Sequence, residues 1–133
     1  MIGEISLGKA VAKYFSGYSS FIRQDMEGHK PTITGTTRYA GVGFSLMYDA
    51  LAKLARFSIF AEDPNARNTV TDYIRVLQPV FGKLTGVSVT CDPSTQTLTA
   101  TRRVFNQSDL HALVNAAQFA VRFPLGTQTE SHH

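Results

Sequence analysis

The feature that most constrains the fold is a change in the spacing of apolar residues near Gly86. Before this glycine, apolar side chains recur every three or four residues, at Val70, Tyr73, Ile74, Leu77, Phe81 and Leu84. After it, apolar and polar side chains alternate in two segments, 87–92 and 97–104, which are separated by a turn that begins with Asp92-Pro93. The first spacing indicates a helix with one buried face, and the second indicates strands with one buried face. The sequence therefore predicts a helix followed by a β-hairpin.

Three further segments predict helices, which makes four in all. Apolar residues at helical spacing predict a first helix over residues 4–26 and a second over residues 44–58. The helix before the hairpin is preceded by Asp63-Pro64, a capping residue followed by a proline in the first turn. Ser108 is the expected N-cap of a last helix, whose apolar stripe spans residues 110–121.

The predicted fold class is α+β, with about four helices packed on a small antiparallel β-sheet built around one C-terminal hairpin. Two strands alone do not form a stable sheet. Either residues 32–37, which read as an edge strand or an extended linker, supply a third strand, or the hairpin pairs with another copy of the chain. We expect residues 1–124 to form one globular domain and residues 125–133 to be a flexible tail. The tail ends in Ser131-His132-His133, which resembles the start of a purification tag.

The composition narrows the class of protein and its compartment. The chain has 133 residues, of which 43% are hydrophobic and only 17% are charged, a balance that excludes a disordered chain. Its one cysteine, Cys91, excludes a disulfide scaffold and is expected in the core. With no secretory signal and no long uncharged apolar run, we expect a cytoplasmic protein that does not associate with membranes. A surface low in charge also favours association with another subunit.

The ionisable residues do not form a recognisable catalytic or metal-binding set. Outside the tail the chain has two histidines, His29 and His111, and together with Cys91 they cannot supply a standard zinc site. Asp109 lies two residues before His111 on the predicted last helix, where residues two apart point in different directions. We therefore expect a non-enzymatic protein that has no catalytic residues, no metal and no cofactor.

Two glycines suggest a minor hypothesis of anion binding. Gly41 and Gly43 precede the predicted second helix, which would begin at Phe44, and Arg38 lies close by in the sequence. A helix N-terminus next to an arginine can bind phosphate or sulfate.

The aromatic residues of the first predicted helix are the candidate partner-binding surface. Tyr14, Tyr18 and Phe21 belong to an apolar face wider than one narrow stripe, and tyrosine and phenylalanine are common anchors at interfaces. The alternative interpretation places them in the core. The expected function is a protein-interaction module, such as a small adaptor, inhibitor or assembly component. Its partner is another protein or a second copy of the chain, with a homodimer expected.

The alternative function is a nucleic-acid-binding regulator that uses a basic β-hairpin. Arg102 and Arg103, with Thr99 and Thr101 on the polar face of the second strand, could reach phosphates and base edges. The net charge is +3, and its cations are spread along the chain. Arg102 falls at a position where the alternation expects an apolar residue, which suggests a bulge or a basic side chain at the end of the sheet.

Overall fold

Six antiparallel strands form one sheet, in the order β1–β2–β3–β4–β6–β5. The structure, a computed structural model, describes residues 22–25, 32–49 and 51–125. The strands are β1 (Ile22–Asp25), β2 (Thr32–Thr36), β3 (Val42–Asp49), β4 (Leu54–Ala61), β5 (Val87–Asp92) and β6 (Thr97–Arg103). Helix α1 (Arg67–Gly82) follows β4 after a single 3-10 turn, and helix α2 (Gln107–Val121) follows β6. The class is therefore α+β, as expected.

The expectation of four helices on a small sheet is wrong, because the described residues contain two helices and a much larger sheet. Residues 44–58 were expected to be helical, but they form most of β3, the following turn and the first part of β4. Alternate residues of these strands are buried, as Phe44, Leu46 and Tyr48 show for β3. Leu51, which extended the helical spacing, lies in the turn and is 74% exposed.

The first predicted helix is also corrected where the structure describes it. Residues 22–25 are strand β1, which pairs with β2 so that Ile22 lies opposite Gly35. The rest of the prediction, residues 4–21 and Met26, lies outside the described residues. Strand β2 itself is an internal strand between β1 and β3, rather than an edge strand or a linker.

The helix and hairpin predicted around Gly86 are both present. The carboxylate of Asp63 accepts the Asn65 N–H at 2.9 Å and caps the 3-10 turn that leads into α1. The hairpin β5–β6 pairs without a bulge, and Arg102 lies at the end of the sheet opposite Val87. The last helix is present too, but its N-cap is Asn106 instead of Ser108, since the Asn106 Oδ1 accepts the Asp109 N–H at 3.0 Å.

The two faces of the sheet have different chemistry. The buried apolar residues of the strands lie on one face, which packs against α1 and α2 in a single core, and Phe57 stacks on Phe81 with ring centroids 5.8 Å apart. The opposite face carries a row of hydroxyl residues that lie opposite one another in five neighbouring strands, namely Thr34, Ser45, Ser58, Thr99 and Thr90. The Ser58 and Thr99 hydroxyl oxygens are 3.3 Å apart. The strands thus alternate between core residues and hydroxyl residues, which explains their threonine-rich sequence.

The connection between β2 and β3 is fixed to the C-terminal end of α2. The backbone N–H of Arg38 donates to the Val121 carbonyl at 3.1 Å, and its Nη1 donates to the Arg122 carbonyl at 3.1 Å. Carbonyl groups at the end of a helix lack partners within the helix, so an arginine there satisfies one of them. The anion hypothesis is not supported by this geometry, since Phe44 belongs to a strand and no helix begins there.

Candidate functional site

Strand β5 is an edge of the sheet and is unusually plain for an edge strand. Among the described residues it pairs with β6 alone, and all six of its residues follow one regular register. Proteins commonly protect such edges with lysine, proline or a bulge. The strand reads V-S-V-T-C-D, so it has no lysine or proline, and its one charge stands at the last position. Its row of backbone groups is therefore suited to pairing with a further strand.

The side chains of β5 divide between the two faces of the sheet. Val87, Val89 and Cys91 are half-buried and pack against the edge of the core, whereas Ser88 and Thr90 are exposed. Cys91 was expected in the core and is only half-buried, and burial raises the pKa of its thiol. An added strand would extend the apolar face and the hydroxyl face together.

Two large apolar side chains are exposed at one end of the sheet. Leu51 is 74% exposed and Phe105 is 72% exposed. Their loops are joined by a hydrogen bond from the Val104 N–H to the Lys53 carbonyl at 2.9 Å. We call this pair, Leu51 and Phe105, the apolar tips.

Each apolar tip is held by a carboxylate. Asp49 Oδ1 accepts the backbone N–H of Leu51 at 3.1 Å, and Asp109 Oδ2 accepts that of Phe105 at 2.9 Å. The tips are thus presented on fixed backbone, a property of residues that anchor protein partners. Sequence reasoning missed both, because Leu51 fitted the helical stripe and because the exposure of Phe105 depends on the tertiary structure.

The structure separates the two arginines proposed for nucleic-acid binding. Arg102 lies on the helix side of the sheet, where its Nη2 is 2.8 Å from Asp109 Oδ1 and its Nη1 donates to the Thr85 carbonyl. Its guanidinium is therefore committed to holding the β6–α2 junction. Arg103 is exposed on the opposite face, where Thr99 and Thr101 also lie.

The candidate partner-binding aromatics, Tyr14, Tyr18 and Phe21, lie outside the described residues, as does His29. His111 is half-buried on α2, and the carboxylate of Asp109 is engaged by Arg102 and by the Phe105 N–H. In the described ranges, no three or more His, Cys, Asp and Glu side chains are grouped as a metal site would require. None of the helices in those ranges has the length and apolar character of a membrane span.

Comparison of the chain with protein-family models, with curated proteins and with solved structures finds no match. The function is therefore argued from the surfaces described above.

Proposed function

We propose that this chain is a non-enzymatic protein-interaction module that self-associates through strand β5. The observation that carries the proposal is the regular, unprotected edge of β5. Pairing at such an edge needs only extended backbone on both sides, and a second copy of the chain brings an identical edge. A small adaptor, inhibitor or assembly component acts through contacts of this kind.

The chemistry of β5 favours antiparallel pairing of two copies about a two-fold axis. In such a pair, side chains from one face of the strand meet side chains from the same face of the other copy. Val87 and Val89 would then gain apolar neighbours, and Ser88 and Thr90 would extend the hydroxyl face. No charge is repeated at the centre of the interface, since the one charged residue, Asp92, stands at its end.

The apolar tips support binding of a partner at a second place. Leu51 and Phe105 lie at the end of the sheet, and exposed Lys53 and Arg103 are their neighbours along the chain. Two large apolar groups bordered by cations complement an apolar pocket with acidic groups at its rim.

The test of self-association uses light scattering coupled to size-exclusion chromatography, with the protein free of any tag. The wild type should form a dimer, and Ser88→Lys/Thr90→Lys should be monomeric, because lysines of the two copies would face each other across the axis. Mixing this variant with Ser88→Glu/Thr90→Glu should restore a mixed dimer. Asn68→Lys/Asn115→Lys adds the same charge at exposed helix positions and should leave the dimer intact.

A wild-type monomer at all concentrations would refute self-association. A dimer that survives the lysine pair would refute the role of β5 and direct attention to the proposed aromatic surface. Tyr18→Asp/Phe21→Asp tests that surface, since loss of the dimer with the fold retained indicates an interface, and unfolding indicates a core position.

The alternative, a nucleic-acid-binding regulator, is favoured by one observation. Arg56 and Arg103 are both exposed on the hydroxyl face, where Arg56 lies opposite Thr101. This proposal predicts binding to DNA or RNA at low salt that weakens steeply as salt is added. Arg56→Ala/Arg103→Ala should remove the binding, while Arg67→Ala/Lys83→Ala, with equal loss of charge, should retain most of it. No binding at low salt would end this alternative.

A further inference from the structure

A pocket of about 370 Å³ lies between helix α1 and the end of the β5–β6 hairpin. Its walls are formed by Thr71 and Ile74 of α1, by Cys91 and Asp92 at the end of β5, and by Pro93 and Gln96 of the turn. The volume lies in the range of small-molecule sites, and the lining is mainly apolar with a few polar groups, as such sites require.

One lining residue has a polar atom whose bonding is incomplete. The Thr71 hydroxyl donates its proton to the Arg67 carbonyl at 3.0 Å, so toward Gln96 it can only accept. The Gln96 Nε2 is the group that faces it, at 2.8 Å. This fixes the orientation of the amide and leaves Oε1 of Gln96 buried without a hydrogen-bond partner in the described part of the chain.

The backbone at Gln96 shows that the glutamine is placed there at some expense. Its φ is +53°, in the left-handed region where glycine or asparagine is favoured. A buried carbonyl oxygen without a partner adds a further unfavourable contribution. A ligand that supplies a hydrogen-bond donor would remove the second of these.

We propose that this pocket binds a neutral, single-ring molecule that carries a hydroxyl donor, the chemistry of a simple phenol. The ring would pack against the apolar walls near Ile74 and Pro93, and the hydroxyl would donate to Gln96 Oε1. An anionic ligand is disfavoured by the carboxylate of Asp92. That carboxylate is already engaged by the backbone N–H and the hydroxyl of Ser94, at 3.0 and 2.7 Å, so it does not require a cation.

Cys91 provides a built-in reporter, because it is the only cysteine of the chain and lines the pocket. The experiment measures the rate at which iodoacetamide alkylates Cys91 as p-cresol is added. Anisole is the matched probe, since it has the same atoms as p-cresol but no hydrogen-bond donor. We expect p-cresol to slow alkylation in a saturable way, at concentrations about fivefold to tenfold lower than anisole, the ratio expected for one hydrogen bond. In urea neither compound should protect.

Two variants keep the proposal falsifiable. Gln96→Leu should make p-cresol and anisole equally protective, whereas Gln78→Leu, at an exposed position of α1, should preserve the preference. Ile74→Phe should fill the pocket and abolish protection by both. The proposal is overturned if neither compound protects the wild type, if both protect it equally, or if the preference survives Gln96→Leu. None of these outcomes depends on self-association, which is tested on the opposite face of β5.

Discussion

Arg102 of β6 and Asp109 in the first turn of α2 form an ion pair, with Nη2 2.8 Å from Oδ1. Both side chains are mostly buried, with 16% and 17% of their surfaces exposed. The arginine, followed by the Phe105 N–H, holds the pKa of the Asp109 carboxyl below its ordinary value. The pair therefore attaches helix α2 to the sheet and fixes the backbone of the exposed Phe105.

We expect Asp109→Asn to destabilise the protein much more than Asp72→Asn. The first change leaves the Arg102 guanidinium mostly buried without its carboxylate, whereas Asp72 faces Arg75 in an exposed pair whose loss changes stability by about 0.5 kcal/mol or less. Urea unfolding of both variants at pH 7 checks this, and equal midpoints would contradict it.

The same ion pair predicts a dependence on acid. Because the pKa of Asp109 is lowered by folding, its contribution is fully present above the unfolded value of about 3.9 and is lost as the pH falls through the lower folded value. The difference in unfolding free energy between the wild type and Asp109→Asn should therefore shrink below about pH 4. A difference that stays constant down to pH 2 would contradict this.

Tyr73 predicts a loss of stability in alkali. Burial raises the pKa of this tyrosine from 10.0 to about 12. The unfolded chain therefore loses this proton first, and stability falls between pH 10 and 12, by roughly 2–3 kcal/mol at most. Tyr73→Phe should show a smaller decline over the same range, with the other tyrosines and the lysines unchanged as an internal control. Parallel stability curves for the two proteins would refute the prediction.

Gly41 should not tolerate a side chain. Its φ is +82°, and an added Cβ would lie 3.1 Å from the Cβ atoms of both Ala66 and Asp63. Gly41→Ala should lower the unfolding free energy by about 1–3 kcal/mol. Gly82→Ala is the control, since an added Cβ there meets nothing within 4 Å, and replacing glycine in a helix stabilises by up to about 1 kcal/mol. Thermal unfolding of both variants measures the contrast, and a shift of the same sign in both would be inconsistent with it.

Lys53 should be improved by glycine. Its φ is +53°, and its carbonyl accepts the Val104 N–H at 2.9 Å, so the turn must keep this backbone conformation. Lys53→Gly should raise the unfolding free energy by about 0.5 kcal/mol, because relief of the left-handed strain exceeds the added entropy of the unfolded chain. Lys53→Ala keeps the Cβ and should have almost no effect. Chemical denaturation distinguishes the two, and an equal gain for alanine would refute the argument.

The parts of the fold that the sequence predicted are those with an unambiguous local pattern. Helix α1 has four buried residues at helical spacing after Asp63-Pro64, and the hairpin alternates strictly on both sides of a polar turn. The prediction for residues 44–58 was wrong because Phe44, Tyr48 and Ala55 fit a spacing of two as well as one of 3.6. The turn residue Leu51 then completed an apparent helical stripe.

The candidate sites depend on contacts between distant parts of the chain, which local patterns do not specify. The unusual position of Arg102 could be recognised from the alternation, but its partner Asp109 becomes known only when α2 packs beside β6. Likewise, β5 is an edge only because β4 pairs with β6 rather than with β5. The pocket needs Thr71 and Gln96, which are 25 residues apart, to meet.

The strand order also determines when the protein can complete its fold during synthesis. Strand β6 joins β4 to β5, yet it is the last of these three to leave the ribosome. Until Arg103 has emerged, the nascent chain carries a β4 with one open edge and a β5 with no strand beside it in the described sheet, both of which can capture other chains. A premature stop before β6 therefore does not yield a shorter version of this domain. It yields a chain that lacks the strand on which both neighbours depend, and we expect the cell to treat it as misfolded.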